Sequence, residues 1–319
     1  MFGSILRRDE GIASSDKIGF LFPGQGSQIV GMGKDFFDRF ADAKTYYEKA
    51  EDVLGFDLAG VSFDGPEEKL KQTRFTQPAL YVHSYAIARL LRDKAVIASA
   101  AAGHSLGEFS ALAYGNTFSF EEGLELVRER ANLMQEAGEK KPGSMAAVIG
   151  LEPEQVLNLC MEVQEEGIVQ PANYNSPEQV VISGSKEGVE AAMALAKERG
   201  ARRVLPLPVS GAFHSPLMAS AVVSFGKKLK EMNIRKPEIP VYANVTAKAV
   251  SNSGEIRTLL HHQLTHSVRW IETIQNMVKD GVTRFIEVGA GKVLSGLVRR
   301  IDKDVSLMQC GTVDEFDAF

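Results

Sequence analysis

The chain has 319 residues, 44% hydrophobic and 24% charged, enough for about two average domains and too apolar for a disordered protein. A formal net charge of −5 argues against general nucleic-acid binding. Two cysteines without a CxxC pair suggest no disulfide framework and a reducing, cytoplasmic setting, and no apolar run is long enough for a membrane helix.

Residues 1–16, MFGSILRRDEGIASSD, lack a signal-peptide core and carry acidic residues unsuited to a transit peptide, so they read as a disordered extension. KIGFLF (17–22) reads as a short buried strand, ended by PGQGSQ. Helical patterns follow at 44–55 and 78–91, and a buried strand, AVIASAAAG, at 95–103. The segment 119–138 reads as a helix capped by Ser119 with Glu122 three residues on, and ended by Gly138. The rhythm then changes to strand (143–150), helix (152–167), two strands (168–175 and 178–184), helix (186–200) and strand (201–210). That β-α-β-β-α-β order is the order of a ferredoxin-like unit. Helical sequence resumes with one more strand, RFIEVG, at 284–289. The fold class is therefore α/β: a large domain with a parallel sheet (17–140 and 210–319) interrupted by a small ferredoxin-like α+β subdomain (141–209).

Gly103-His104-Ser105-Leu106-Gly107 fits G-x-S-x-G, with a strand before it and a helix after it. The glycines permit a sharp turn that would present the serine oxygen near a helix N-terminus, where backbone N–H groups can meet a developing oxyanion. A helix-capping serine is the plainer reading, and the context favours the nucleophile. Such a serine needs a base. His83 lies in an apolar helical pattern and reads as a satisfied core histidine; His104 adjoins the serine but should point elsewhere. His261, His262 and His266 lack an HExxH partner, and no metal site is expected. His214, in SGAFHSPLM, is the best of several candidates. FPGQGSQIVGMG fails the dinucleotide pattern, and EVGAGKVLSG fails the phosphate-loop pattern at Ile286 and Val293.

The segments FPGQGSQ, GHSLGE, RANLMQEA, NYNSPEQVVISG, GAFHSPLM and EVGAGKVL occur in the order and spacing of the bacterial malonyl-CoA:acyl carrier protein transacylases, which the chain resembles from about Lys17 to Cys310. The resemblance implies a hydrolase-like core and a ping-pong malonyl transfer supplying fatty acid synthesis. It implies that Ser105 is acylated with His214 as base. Backbone N–H groups of Gln25 and Leu106 would form the oxyanion hole, and the Gln263 carbonyl would orient His214 without an acidic triad partner. Arg130 would bind the malonyl carboxylate, and Asn173 and Asn175 would line the cleft; Phe109 stands where tyrosine is also common. Arg128 is expected to be solvated. Malonyl-CoA and an acyl carrier protein are the implied partners of a monomer that binds neither nucleic acid nor membrane and has no resident cofactor. Lys140, Lys141, Lys186, Arg202 and Arg203 are candidates for docking an acidic carrier protein. Two other readings are a serine esterase or thioesterase, disfavoured by Arg130, and an inactive carrier-binding module, disfavoured by retention of Ser105 and His214.

Overall fold

In the computed structural model, which describes residues 17–209 and 211–319, two separate sheets organise the chain; the expected extension 1–16 lies outside the described residues. The strands are β1 (Ile18–Phe22), β2 (Ala100–Gly103), β3 (Ser144–Ile149), β4 (Val169–Ser176), β5 (Gln179–Gly184), β6 (Arg203–Pro206), β7 (Val241–Tyr242), β8 (Arg284–Val288) and β9 (Ser306–Cys310). One sheet has the order β7-β2-β1-β8-β9 and pairs in parallel throughout. Its central strands β1, β2 and β8 are buried along their whole length. β1 and β2 read as unbroken apolar runs because a parallel sheet covered by helices has no wet face, whereas β8 also buries Arg284 and Glu287.

The second sheet has the order β4-β5-β3-β6 and is antiparallel. Alternation along β3 divides its faces. Ala146 and Val148 pack with Val156, Leu159, Val189 and Ala192 of the helices Pro153–Glu162 and Lys186–Glu198. Met145 and Ala147 join the large core on the other face. Main-chain bonds tie β4 to the segment after helix Ser253–Gln263: Tyr174 N–H donates to Val268 O at 2.9 Å and Val268 N–H to Ala172 O at 2.8 Å.

Several boundaries differ from the sequence reading. Of 95–103 only Ala100–Gly103 is strand, because Ala95 turns the chain at a φ of 62° and the Ala98 N–H donates to Tyr114 Oη. The capping box of Ser119 and Glu122 is present, but the helix runs Phe120–Lys140 past Gly138, which is buried where Gly211 packs against it. Helix Pro153–Glu162 stops short of 167, and Gln164 bonds both Cys160 O and Val169 O. Strands β7 and β9 add to the one strand that the sequence predicts after residue 210. In place of a phosphate, both oxygens of buried Glu287 accept the N–H groups of Leu294 and Ser295 at the start of helix Val293–Ile301, at 2.9 and 2.7 Å. Cys160 and Cys310 are both free and buried, and no helix among the described residues is long and apolar enough to cross a membrane.

The turn after β2 depends on two glycines. A Cβ at Gly103 would lie 1.9 Å from the carbonyl of Gly107, and one at Gly107 would lie 2.0 Å from Phe22 O. Both obstacles are backbone and cannot swing aside. Gly107→Ala is therefore expected to lower the urea-unfolding free energy by about 1–3 kcal/mol or more. Gly296→Ala, on an exposed helix position with nothing within 4 Å, is expected to raise it by about 0.5–1 kcal/mol. Equal effects would refute this account of the turn.

Candidate active site

The chain passes from β2 through His104, Ser105 and Leu106 directly into helix Gly107–Tyr114. Ser105 takes a φ of 52°, a conformation that costs a residue with a side chain and persists only where its surroundings enforce it. Asn244 supplies part of that enforcement: its Oδ1 accepts the Ser105 N–H at 2.8 Å and its Nδ2 donates to Gly103 O at 2.7 Å.

His214 reaches Ser105 from the loop after β6, with 2.8 Å between Ser105 Oγ and His214 Nε2. The other ring nitrogen, Nδ1, lies 2.8 Å from Gln263 O and 3.1 Å from His266 O. Carbonyls only accept, so Nδ1 carries the proton and Nε2 is left to accept from the serine hydroxyl. Gln170 Nε2 fixes the loop by donating to His214 O at 2.8 Å and Thr265 O at 3.1 Å. Burial and the charge of Arg130 push His214 down to about 3, so the imidazole is neutral at rest.

Arg130 projects inward from helix Phe120–Lys140 and is fully buried. Its Nη1 donates to Gln77 Oε1 at 2.7 Å; its Nη2 donates to Ser105 Oγ and to Gln263 Oε1, both at 3.0 Å. The guanidinium lies 5.4 Å from the Phe109 ring centroid, which places Phe109 against this group. Its Nε has no hydrogen-bond partner among the described residues. Desolvation lowers Arg130 to about 9, offset by the charge of Glu108, so it remains a cation at neutral pH. Arg128, expected to be solvated, is half-buried and donates to Val53 O.

A chamber of about 100 Å³ above Ser105 is lined by Gln25, Gln77, Leu106, Met134, Phe213 and His214, among others. It shares Gln25, His104, Asn173 and Leu207 with a cleft of about 450 Å³ between the sheets, also lined by Asn175 and Val293. Among the described residues, neither the Gln25 nor the Leu106 N–H donates a hydrogen bond, while the Gln25 side chain is held by Thr73 Oγ1 at 3.2 Å. His104 turns away from the serine oxygen and places Nε2 2.8 Å from Asn175 Oδ1. His83 is a buried core histidine as expected; burial pushes it down to about 4 against the Asp35 charge and the Gly311 backbone, and its Nε2 has no hydrogen-bond partner among the described residues. The His262 ring stacks on His266 and is tilted against His261, and none of these three rings lines the chamber or the cleft.

The structure thus gathers Ser105, His214, Gln25, Leu106, Arg130, Gln263, Asn173 and Asn175 about one chamber and cleft. Sequence reasoning missed Gln77, Glu108 and Asn244. The available signal was a polar residue amid apolar neighbours: Gln77 in the long helix Thr73–Asp93 and Glu108 in SLGEFSALA, both buried.

A family model described as the acyl transferase domain matches residues 19–310. The chain belongs to the acyl transferase family, among the malonyl CoA-acyl carrier protein transacylases. It is 42% identical over 288 residues to the malonyl CoA-acyl carrier protein transacylase of Bacillus subtilis, covering 90% of this chain and 91% of that one. An acyl carrier protein S-malonyltransferase structure from Vibrio cholerae superposes with a TM-score of 0.91 at 43% identity, covering 95% and 99% of the two chains. A malonyl-transacylase solved in complex with a type II PKS acyl-carrier protein superposes with a TM-score of 0.92 at 40% identity, covering 94% and 98%. Members of the family are acyltransferases.

The neutral buried imidazole has a measurable consequence. The unfolded chain binds a proton at His214 near pH 6.5, but the folded chain does not until about 3. Stability from this residue is complete above 6.5 and is lost as the pH falls through that window. Glu108, lifted by burial, contributes in the opposite sense, but it is common to wild type and His214→Gln and cancels in their comparison. Between about pH 6 and 4, urea unfolding should shift in favour of His214→Gln by up to about 1.4 kcal/mol per pH unit. A pH-independent difference would contradict the neutral imidazole.

Proposed function

We propose that the protein moves a malonyl group from malonyl-CoA to the phosphopantetheine thiol of an acyl carrier protein, by a ping-pong path through a malonyl ester of Ser105, supplying fatty acid synthesis. The observation that carries this reading is the double engagement of one oxygen: Ser105 Oγ lies 2.8 Å from His214 Nε2 and 3.0 Å from Arg130 Nη2. A base and a carboxylate reader meet at the same atom.

In the first half-reaction His214 Nε2 takes the hydroxyl proton as Ser105 Oγ attacks the thioester carbonyl. The Gln25 and Leu106 N–H groups receive the oxyanion. The carbon–sulfur bond breaks, and the CoA sulfur leaves with the proton from His214. In the second half-reaction His214 takes the carrier thiol's proton, the sulfur attacks the ester, and Ser105 Oγ departs and regains a proton. Formation of the ester removes the hydroxyl proton and leaves Oγ a poorer acceptor. Arg130 Nη2 is then released toward the acyl group beside Nε, which has no partner among the described residues, and the two are donors for a carboxylate. The carboxylate also screens the positive field that depresses His214, so a malonyl group strengthens the base that transfers it.

Asn173 and Asn175 are assigned to the cleft that admits the pantetheine arm. Docking of an acidic carrier protein is assigned to Lys140, Lys141, Lys186, Arg202 and Arg203. Arg202 lies 3.0 Å from Glu178 and Lys140 lies 3.3 Å from Glu136, exposed pairs that compete only weakly with a partner. The architecture assigned is a hydrolase-like core (17–140 and 210–319) carrying a ferredoxin-like subdomain (141–209); the β4-β5-β3-β6 order supports the latter. The protein is assigned as a monomer acting without metal or resident cofactor, in the cytoplasm, a compartment that suits two buried free thiols.

Intact mass after mixing with malonyl-CoA should show one malonyl adduct, mapped to Ser105, absent in Ser105→Ala and discharged by holo carrier protein. An adduct on another residue would overturn the assignment. Arg130→Ala should cost malonyl transfer about 2–5 kcal/mol in kcat/KM while acetyl transfer loses far less or gains. Arg130→Lys, which keeps the charge but not the planar fork, should already weaken malonyl transfer. Equal losses for both acyl groups would mean that Arg130 does not read the carboxylate.

A further inference from the structure

Glu108 is a buried acid that the scheme above does not use. It stands in the first turn of helix Gly107–Tyr114, where the helix N-terminus favours a negative charge, and it is 2% exposed. Its Oε2 accepts the Asn244 N–H at 3.1 Å and Gln263 Nε2 at 2.6 Å. Both partners are donors, which matches an ionised carboxylate and offers nothing to the O–H of a protonated one.

Gln263 is the branch point of the site. Its Nε2 donates to Glu108 and, at 3.0 Å, to Ser105 O; its Oε1 accepts from Arg130; its main-chain carbonyl accepts from His214. A side-chain amide can flip end for end, and these two acceptors on the nitrogen side determine that the oxygen faces Arg130. Acyl transfer also makes an imidazolium of His214 beside a guanidinium, in a buried place with no carboxylate on Nδ1. Glu108 is the charge that offsets the burial of Arg130.

We propose that Glu108 is a positioning residue for acyl transfer, which through Gln263 holds Arg130 and the His214-bearing carbonyl in register and supplies the buried negative charge against which His214 becomes an imidazolium. The proposal rests on the reading of Ser105 and His214 as the transfer pair. The charged and titratable groups of the cluster are Arg130 from helix Phe120–Lys140, His214 from the loop after β6 and His104 from the turn after β2. Asn244 and Gln263, which touch Glu108 from the other two segments, are neutral. Burial lifts the Glu108 carboxyl to about 7, against hydrogen bonds from Gln263 and Asn244 and the charge of Arg130 that act to lower it. Its titration is thus well separated from that of His214.

The test follows acylation of Ser105 by malonyl-CoA and by 4-nitrophenyl acetate, a neutral ester, between about pH 5.5 and 8.5, in wild type and Glu108→Gln. In wild type both second-order rate constants should fall about tenfold as the pH drops through 7 and Glu108 gains a proton. Glu108→Gln keeps an acceptor oxygen and cannot ionise; it should show the low rate with a flat profile, and half-saturation by malonyl-CoA at no higher a concentration. A purely structural role would lower the melting temperature and leave the limb in place. Persistence of the limb in Glu108→Gln would overturn the proposal. So would a flat wild-type profile across pH 7, whatever the fold of the variant. If the neutral ester acylates wild type and malonyl-CoA does not, the donor assignment fails, and the ester profiles still decide the role of Glu108.

Discussion

A guanidinium cut off from water has to be met by acceptors and by negative charge, and the site is arranged around that demand at Arg130. Gln77, Gln263 and the serine hydroxyl accept from it, and Glu108 offsets its charge from the far side of Gln263. Each of these groups arrives on a different element: Gln77 on helix Thr73–Asp93, Ser105 at the end of β2, and Gln263 at the end of helix Ser253–Gln263. Fixing Arg130 thus fixes how the elements meet, and the same contacts set the electrostatics around Ser105 Oγ. In the resting site Arg130 Nη2 donates to Ser105 Oγ, and under the proposed function a bound carboxylate would take over that donor.

What was legible in the sequence was local. The turn at Ser105 follows from two glycines whose α-hydrogens face backbone, and a steric requirement of that kind leaves a fixed spacing. The capping box at Ser119 and the strand-helix order of the second sheet are also short-range patterns. From the residues His214 is only the best of several candidate histidines, because its approach to Ser105 depends on a loop leaving β6 and on carbonyls near 263 and 266. The resemblance supplied that pairing. Strand β7 is two residues long, and β9 carries half-exposed Leu307, Met308 and Gln309, so neither leaves an apolar run to find. The hydrogen bonds that Glu108 accepts from Asn244 and Gln263 cross more than a hundred positions of chain and have no local signature.

Glu287 shows why EVGAGKVLSG resembles a phosphate loop and yet fails its pattern. EVGAGKVL resembles a loop that delivers a helix N-terminus to a phosphate. A helix N-terminus is indeed there, but the protein's own buried carboxylate occupies it, accepting two of the otherwise unpaired N–H groups. The anion is internal, and the loop carries the start of the helix that borders the cleft at Val293. Gly138, similarly, reads as a helix stop and serves as a contact surface within a longer helix.

The central claim is that one serine oxygen is shared between a base and a carboxylate reader. A crystal structure of the protein soaked with malonyl-CoA tests it most directly. The account predicts an ester on Ser105 Oγ, its carbonyl oxygen toward the N–H groups of Gln25 and Leu106, and its terminal carboxylate against Nε and Nη2 of Arg130. An ester whose carboxylate points out along the cleft, with Arg130 still engaged only by Gln77 and Gln263, would contradict it.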